Sequence, residues 1–207
     1  MMTQGKAVFL DKDGTLVEDV PYNVNPDRIV LTSGAIAALK QLHHAGYKLI
    51  VITNQAGVAR GFFPETSLPA VEHHLRGLLA TAEIPLAGFY YCPHHPDGVV
   101  ERYAIACSCR KPQPGLLYQA ATEQHIDLTQ SWFIGDILND VEAGRKAGCR
   151  TILIDNGNET EWHLTRDRLP HHVVSNLLES AQIIFSLTQL CRRSSGASLQ
   201  SLMHSLL

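Results

Sequence analysis

Two aspartates one residue apart, Asp11 and Asp13, stand directly after the apolar run Ala7–Leu10, in the string Asp11-Lys12-Asp13-Gly14-Thr15. Thr53-Asn54-Gln55 ends a second apolar run, and Gly135-Asp136 ends another, with Asn139-Asp140 just beyond. Arg110-Lys111-Pro112 precedes a helical stretch. Carboxylates, a hydroxyl and a lysine of this kind are the parts of a phosphoryl-transfer site. A carboxylate and a phosphate repel each other, so a carboxylate nucleophile needs a cation between them. Asp11 and Asp136 offer the hard oxygen donors that suit Mg²⁺. Asp11 could then attack phosphorus in line and form an acyl phosphate, splitting one hard step into two. Asp13, pointing differently, could protonate the leaving alkoxide and later take a proton from water. Gly14 permits the tight turn that brings both aspartates around one site. Thr53 would donate to the phosphoryl oxygens, and Lys111 would add a point charge there.

A second constellation is Cys92-Pro93-His94-His95 followed by Cys107-Ser108-Cys109. Two close ligand pairs separated by a loop are the usual layout of a closed, four-coordinate zinc site. Cys92, His94, Cys107 and Cys109 are the expected ligands of Zn²⁺. His94 is preferred to His95 because the Cys-x-His and Cys-x-Cys spacings then match. Such an ion would clamp the loop just before Arg110 and Lys111. The paired histidines His43-His44, His73-His74 and His171-His172 read as solvated positions.

These residues need a scaffold, and the apolar pattern supplies one. Ala7–Leu10, Lys48–Thr53, Phe89–Tyr91, Trp132–Ile134 and Thr151–Ile154 read as strands, and continuous apolar runs suit parallel strands buried on both faces. Helical stripes lie between them. Ile36, Leu39 and Leu42 follow a candidate cap at Ser33 and end at Gly46. Leu68, Val71, Leu75, Leu78 and Leu79 form a second stripe, and Leu116, Leu117, Ala120 and Ala121 a third. Residues 141–147 form a fourth, and Leu177, Leu178, Ala181, Ile184 and Phe185 a last one. The alternation predicts an α/β fold with a doubly wound parallel sheet. Ligands of such a sheet bind at the carboxyl ends of its strands, where the motif residues stand. Residues 1–190 read as one domain and 191–207 as a C-terminal tail, with 192–198 (RRSSGAS) as a linker.

Bulk properties narrow the function further. The 207 residues carry a net charge of −3 and 45% apolar residues, enough for a core and without the basic field of a nucleic-acid binder. No apolar run reaches the ~20 residues needed to span a bilayer, and the first ten residues lack a signal peptide's layout. The chain reads as a cytoplasmic monomer with no membrane or nucleic-acid partner. In that compartment thiols stay reduced, so of its five cysteines the clustered Cys92, Cys107 and Cys109 point to metal rather than disulfides, while Cys149 and Cys191 stand alone.

DKDGT after an apolar strand, ITN, RKP and GDxxND resemble, in order and spacing, the haloacid dehalogenase-like (HAD) phosphatase superfamily over residues 5–185. The resemblance implies a HAD-like Rossmannoid fold, with Asp11 as nucleophile and Asp13 as acid/base. It makes Thr53 and Lys111 phosphate stabilisers and Asp136 a Mg²⁺ ligand, joined by the backbone carbonyl of Asp13. The segments after Thr15 and after the third strand are too short for a large cap domain, so specificity falls to short loops. CPHHPDG…CSCRKPQPGLL, TNQAGVARG and the Asp19-x-x-Tyr22 step resemble the capless, zinc-loop branch that includes heptose-bisphosphate phosphatases. By position, Asp19, Tyr22, Asn54, Gln55 and Arg110 would touch a phosphorylated sugar, with Arg110 on the phosphate that is not cleaved. That branch carries a lysine where this chain has Ile137. Histidinol-phosphate phosphatases share the branch, but the twelve residues between His94 and Cys107 favour the sugar-bisphosphate enzymes. A non-catalytic phospho-ligand binder is the alternative from another class, and the intact aspartate set argues against it.

Overall fold

The computed structural model describes residues 4–204, and side chains as far as 190. Six parallel strands form one sheet in the order β3-β2-β1-β4-β5-β6. They are β1 (Ala7–Leu10), β2 (Lys48–Asn54), β3 (Leu86–Cys92), β4 (Trp132–Gly135), β5 (Arg150–Ile154) and β6 (His172–Val174). Alternate residues of the central strands feed two cores. Val8, Leu10, Leu49, Val51, Ile134 and Ile152 pack on one face with α1 (Ala35–His44), α2 (Leu68–Ala80) and the start of α5 (Leu177–His204). Ala7, Phe9, Ile50, Ile52 and Phe133 pack on the other with α3 (Gly115–Gln124) and α4 (Leu138–Lys146). Burial on both faces is why these strands are apolar without alternation. The architecture is doubly wound, with no large cap among the described residues.

Three details differ from the sequence expectations. β6 adds a sixth strand at the sheet edge, only three residues long and with Val173 exposed. Gly34, with φ of 77°, occupies the N-cap of α1, and no side chain caps that helix. Ser33 is therefore not its cap, because the left-handed residue that turns the chain into the helix already sits at that position. Backbone helix continues through 192–198 as part of α5, where a linker was expected. That stretch contains no proline to stop a helix. The last three residues, 205–207, lie outside the described part. Among the described residues, no helix is long and apolar enough to cross a membrane.

Strand order sets the position of the site. β1 lies between β2 and β4, with Leu10 level with Val51 on one side and Ile134 on the other. The Asp11 N–H donates to the Ile134 carbonyl at 3.0 Å. The residues that follow β1, β2 and β4 thus leave the sheet along one edge, on either side of Asp11.

Candidate active site

At that edge, one carboxylate oxygen from each of Asp11, Asp136 and Asp140 lies within 4.8 Å of the others. All three residues are buried. The fully buried Lys111 ammonium pairs with Asp11 Oδ1, sits 2.6 Å from Asp140 Oδ1, and donates to the Ile52 carbonyl at 3.1 Å. Burial works against charge on Lys111, but Asp11 and Asp140 outweigh it and hold its pKa above the ordinary lysine value. Burial pushes Asp136 up to about 6 and Asp140 up to about 7, and the neighbouring charge of Asp11 adds to both. One lysine does not neutralise three clustered carboxylates.

The donor set fits a hard divalent cation. Asp140 Oδ1 has its close ion contact with Lys111 but no aligned hydrogen bond, and the remaining repulsion is what such an ion relieves. The zinc expectation fits as well. The ligand atoms of Cys92, His94, Cys107 and Cys109 lie within 4.8 Å of one another. The sulfurs of Cys92 and Cys109 are 2.9 Å apart, those of Cys107 and Cys109 3.1 Å, and His94 Nδ1 is 3.3 Å from Cys109. Contact with Cys92 brings the Cys109 thiol down to about 5 and raises that of Cys92 in return. A thiol that ionises this readily is ready to ligate metal. His95 lies outside the cluster, with Nε2 3.4 Å from an Arg60 guanidinium nitrogen.

Lys12 and Gln55 close around Asp13, while Asn54 and Arg110 tie to the Lys111 backbone and the zinc loop. Lys12, buried, contacts Asp13 Oδ1 at 2.5 Å, and Gln55 donates to Asp13 Oδ2 at 3.3 Å and to Thr53 Oγ1 at 2.9 Å. Burial is the largest cause raising the Asp13 pKa, with Lys12 opposing it. Asn54 uses both ends of its amide on Lys111, donating to its carbonyl at 3.1 Å and accepting from its N–H at 3.0 Å. Asn54 thus fixes the lysine's backbone as well as lining the cavity. Arg110 donates to the His94 carbonyl at 3.3 Å, which aligns it with the zinc loop. A cavity of about 250 Å³ opens beside Asp13, lined by Asp19, Pro21, Tyr22, Asn23, Asn54, Gln55, Ala56 and Gly57. Over it the exposed Tyr22 ring meets Phe62 edge-on, with centroids 4.5 Å apart.

Glycine is required at two places here. Gly14 has φ of 78°, and a Cβ on it would run into Asp136 Oδ2 and Asn158 Nδ2. A Cβ on Gly135 would strike the Asp140 carboxylate. Several contacts were not anticipated from the sequence: Lys12 on Asp13, Thr15 Oγ1 on Asp136 Oδ1 at 3.2 Å, and Asn156, Asn158 and Glu159 from the loop after β5. Asn156 and Asn158 follow a strand end on the same rim, a position that by itself could have marked them.

Known proteins are similar to this chain in sequence and fold. The HAD-hydrolase-like family model matches residues 108–180. D-glycero-β-D-manno-heptose-1,7-bisphosphate 7-phosphatase of Photorhabdus laumondii is 44% identical over 158 residues, covering 75% of this chain and 84% of that protein. The chain belongs to the heptose-bisphosphate phosphatase family of HAD-like hydrolases. The Escherichia coli K12 member of that family is 41% identical over 167 residues, covering 76% of this chain and 87% of its own. The crystal structure of D,D-heptose 1,7-bisphosphate phosphatase from B. bronchiseptica, complexed with magnesium and phosphate, aligns with a TM-score of 0.75 at 30% identity. That alignment covers 87% of this chain and 98% of that one. Like the rest of the heptose-bisphosphate phosphatase family, the chain is a phosphoric monoester hydrolase.

Proposed function

We propose that this chain removes the 7-phosphate of D-glycero-D-manno-heptose 1,7-bisphosphate through a phosphoaspartate at Asp11. The observation that carries this reading is the meeting of Asp11 and Asp136 in one ion-sized cluster beside the Lys111 ammonium. In the first step a carboxylate oxygen of Asp11 bonds to phosphorus as the sugar oxygen leaves, and Asp13 passes its proton to that oxygen. In the second step Asp13 takes a proton from water, whose oxygen attacks phosphorus and frees Asp11 and phosphate. Thr53 and Lys111 hold the phosphoryl oxygens throughout. Asp11, Asp136 and the Asp13 carbonyl would hold Mg²⁺, which supplies neutralising charge for the nucleophile and the phosphoryl group when bound. Cys92, His94, Cys107 and Cys109 would hold a structural Zn²⁺.

The raised pKa of Asp13 suits a group that must begin as an acid. The sugar would lie in the cavity between Asp19, Tyr22, Asn54 and Gln55, with Arg110 forking onto the uncleaved phosphate. Its relatives are named for the β-anomer, which supports that anomer here despite Ile137. Every residue of the proposed site comes from before residue 160, which supports a working domain of 1–190, with 191–207 as a tail. The cytoplasm is the compartment that suits its thiols, and its mild charge supports no nucleic-acid or membrane partner.

The test compares kcat/KM on the two heptose bisphosphate anomers, fructose 1,6-bisphosphate and histidinol phosphate, all with Mg²⁺. The heptose bisphosphate should lead, and Asp11→Asn should abolish phosphate release from every substrate. A higher kcat/KM on histidinol phosphate would replace the substrate assignment, and turnover in Asp11→Asn would remove the nucleophile.

A further inference from the structure

The segment after β5 belongs to none of the motifs, yet it reaches back to three parts of the site. Asn156 Nδ2 donates to the Gly14 carbonyl at 2.8 Å, and Asn158 Nδ2 donates to Asp136 Oδ2 at 2.7 Å. Glu159 Oε2 accepts from the Leu138 N–H at 2.6 Å, at the first residue of α4. The segment is itself braced. The Asp155 N–H donates to the Val174 carbonyl at 2.8 Å, and the Asn158 N–H to Asn156 Oδ1 at 3.1 Å.

The consequence falls on Asp136. Each of its two oxygens accepts a hydrogen bond, Oδ1 from the Thr15 hydroxyl at 3.2 Å and Oδ2 from the Asn158 amide. A carboxylate fixed in this way cannot swing away from an ion, and partners of this kind set metal affinity by roughly 10–100-fold. The chemical type of the partner matters. An acid at 158 would add a further negative charge to a cluster that already raises the pKa of Asp136 and Asp140. A lysine would compete with the ion for the same carboxylate. A neutral amide orients Asp136 without either cost.

We propose that Asn158 is the positioning residue for Asp136 as a divalent-cation ligand, and that the Asn156–Glu159 segment acts as a clasp on the cation side of the site. This rests on the reading of Asp136 as a cation ligand. Asn158 is exposed at the surface apart from this contact, so replacing it leaves the core intact.

The experiment is a Mg²⁺ titration of the full chain, read by calorimetry and by the Mg²⁺ dependence of turnover, in Asn158→Ala and in Asn158→Leu, which keeps bulk but has no donor. Both should raise the half-saturating Mg²⁺ by about tenfold, and excess Mg²⁺ should restore most of kcat. Melting temperature in the absence of Mg²⁺ should hardly move. A half-saturating Mg²⁺ within twofold of wild type in both variants overturns the proposal, whatever happens to kcat. So does a kcat loss that excess Mg²⁺ does not repair. Failure of the underlying reading would look different: the wild-type protein itself would show no Mg²⁺ binding.

Discussion

The wall that carries Arg110 and Lys111 is gathered by three sulfurs and an imidazole, whereas the wall that carries Asp136 is gathered by hydrogen bonds that Asn156 and Asn158 donate and one that Glu159 accepts. The contrast follows from what lies beneath each. Between Cys92 and Cys109 the chain has little core of its own: Val99 is 78% exposed, Ile105 is 44% exposed, and only Tyr103 is buried among the large side chains of residues 95–106. Such a loop buries too little apolar surface to offset the entropy of ordering it. Asp136, in contrast, follows a central strand, and α4 behind it is pinned by Leu138 and Val141 against Leu153. There the backbone is already placed and only a carboxylate must be aimed. Metal is used where a loop must be made to exist, and single hydrogen bonds where a side chain must be oriented.

That contrast can be broken most forcefully on the zinc side. Cys109→Ser, or removal of zinc by chelation, should release the loop two residues before Lys111. A structural zinc can contribute on the order of 10 kcal/mol, so the expected loss of kcat is about 100-fold or more, with a lower melting temperature. Mg²⁺ affinity should change far less, because Asp11 and Asp136 directly follow β1 and β4. The check is metal analysis together with turnover and Mg²⁺ titration on the same preparation. If zinc loss weakened Mg²⁺ binding as strongly as it lowered turnover, the two walls would not be separately held.

The next effect in size comes from Asn54, which joins the zinc-side wall to β2. Its amide makes two hydrogen bonds to the Lys111 backbone, so Asn54→Ala should lower kcat by on the order of tenfold through a displaced ammonium. Zinc content should be unchanged. A variant with normal kcat and a raised KM would instead make Asn54 mainly a sugar contact.

The strands were readable because parallel central strands must be apolar on both faces. The motif aspartates and Thr53 were readable because they close or directly follow such a run, whereas Arg110 and Lys111 were readable from their place ahead of a helical stretch. That Cys92, His94, Cys107 and Cys109 would cluster was readable from spacing alone. What escaped did so for physical reasons. β6 is three residues at an edge with one face in solvent, so His172–Val174 carries no apolar run. Asp155-Asn156-Gly157-Asn158 has the composition of any turn, and nothing in its residue types says that two of the amides reach Gly14 and Asp136. Asn54 and Gln55 were found by position, but their main polar contacts, with Lys111 and Asp13, depend on how three strand ends lie side by side.

A smaller effect is expected at the strut between the zinc loop and the 56–65 segment. Glu65 accepts from the Tyr103 hydroxyl at 2.5 Å and from the Tyr91 hydroxyl at 3.1 Å, while the Val99 and Val100 N–H groups both donate to the Ala59 carbonyl. If zinc is the main anchor, Tyr103→Phe should lower the melting temperature slightly and leave zinc content and kcat close to wild type. A large loss of bound zinc in this variant would make the hydroxyl strut, rather than the ion, the principal support.

The smallest effect should appear on the opposite wall, at Glu159. Its carboxylate caps the first turn of α4 through the Leu138 N–H, where the helix dipole favours negative charge. Glu159→Gln keeps an oxygen that can accept the same hydrogen bond but removes the charge, so the expected loss is about 0.5–1 kcal/mol of stability. Thermal melts at low and high salt provide the check, since a charge–dipole contribution shrinks as salt rises. Mg²⁺ affinity should stay near wild type, because Asn158 still holds Asp136. A Glu159→Gln protein that lost Mg²⁺ as severely as Asn158→Ala would show that the clasp acts as one unit, with the start of α4 and the Asp136 carboxylate moving together.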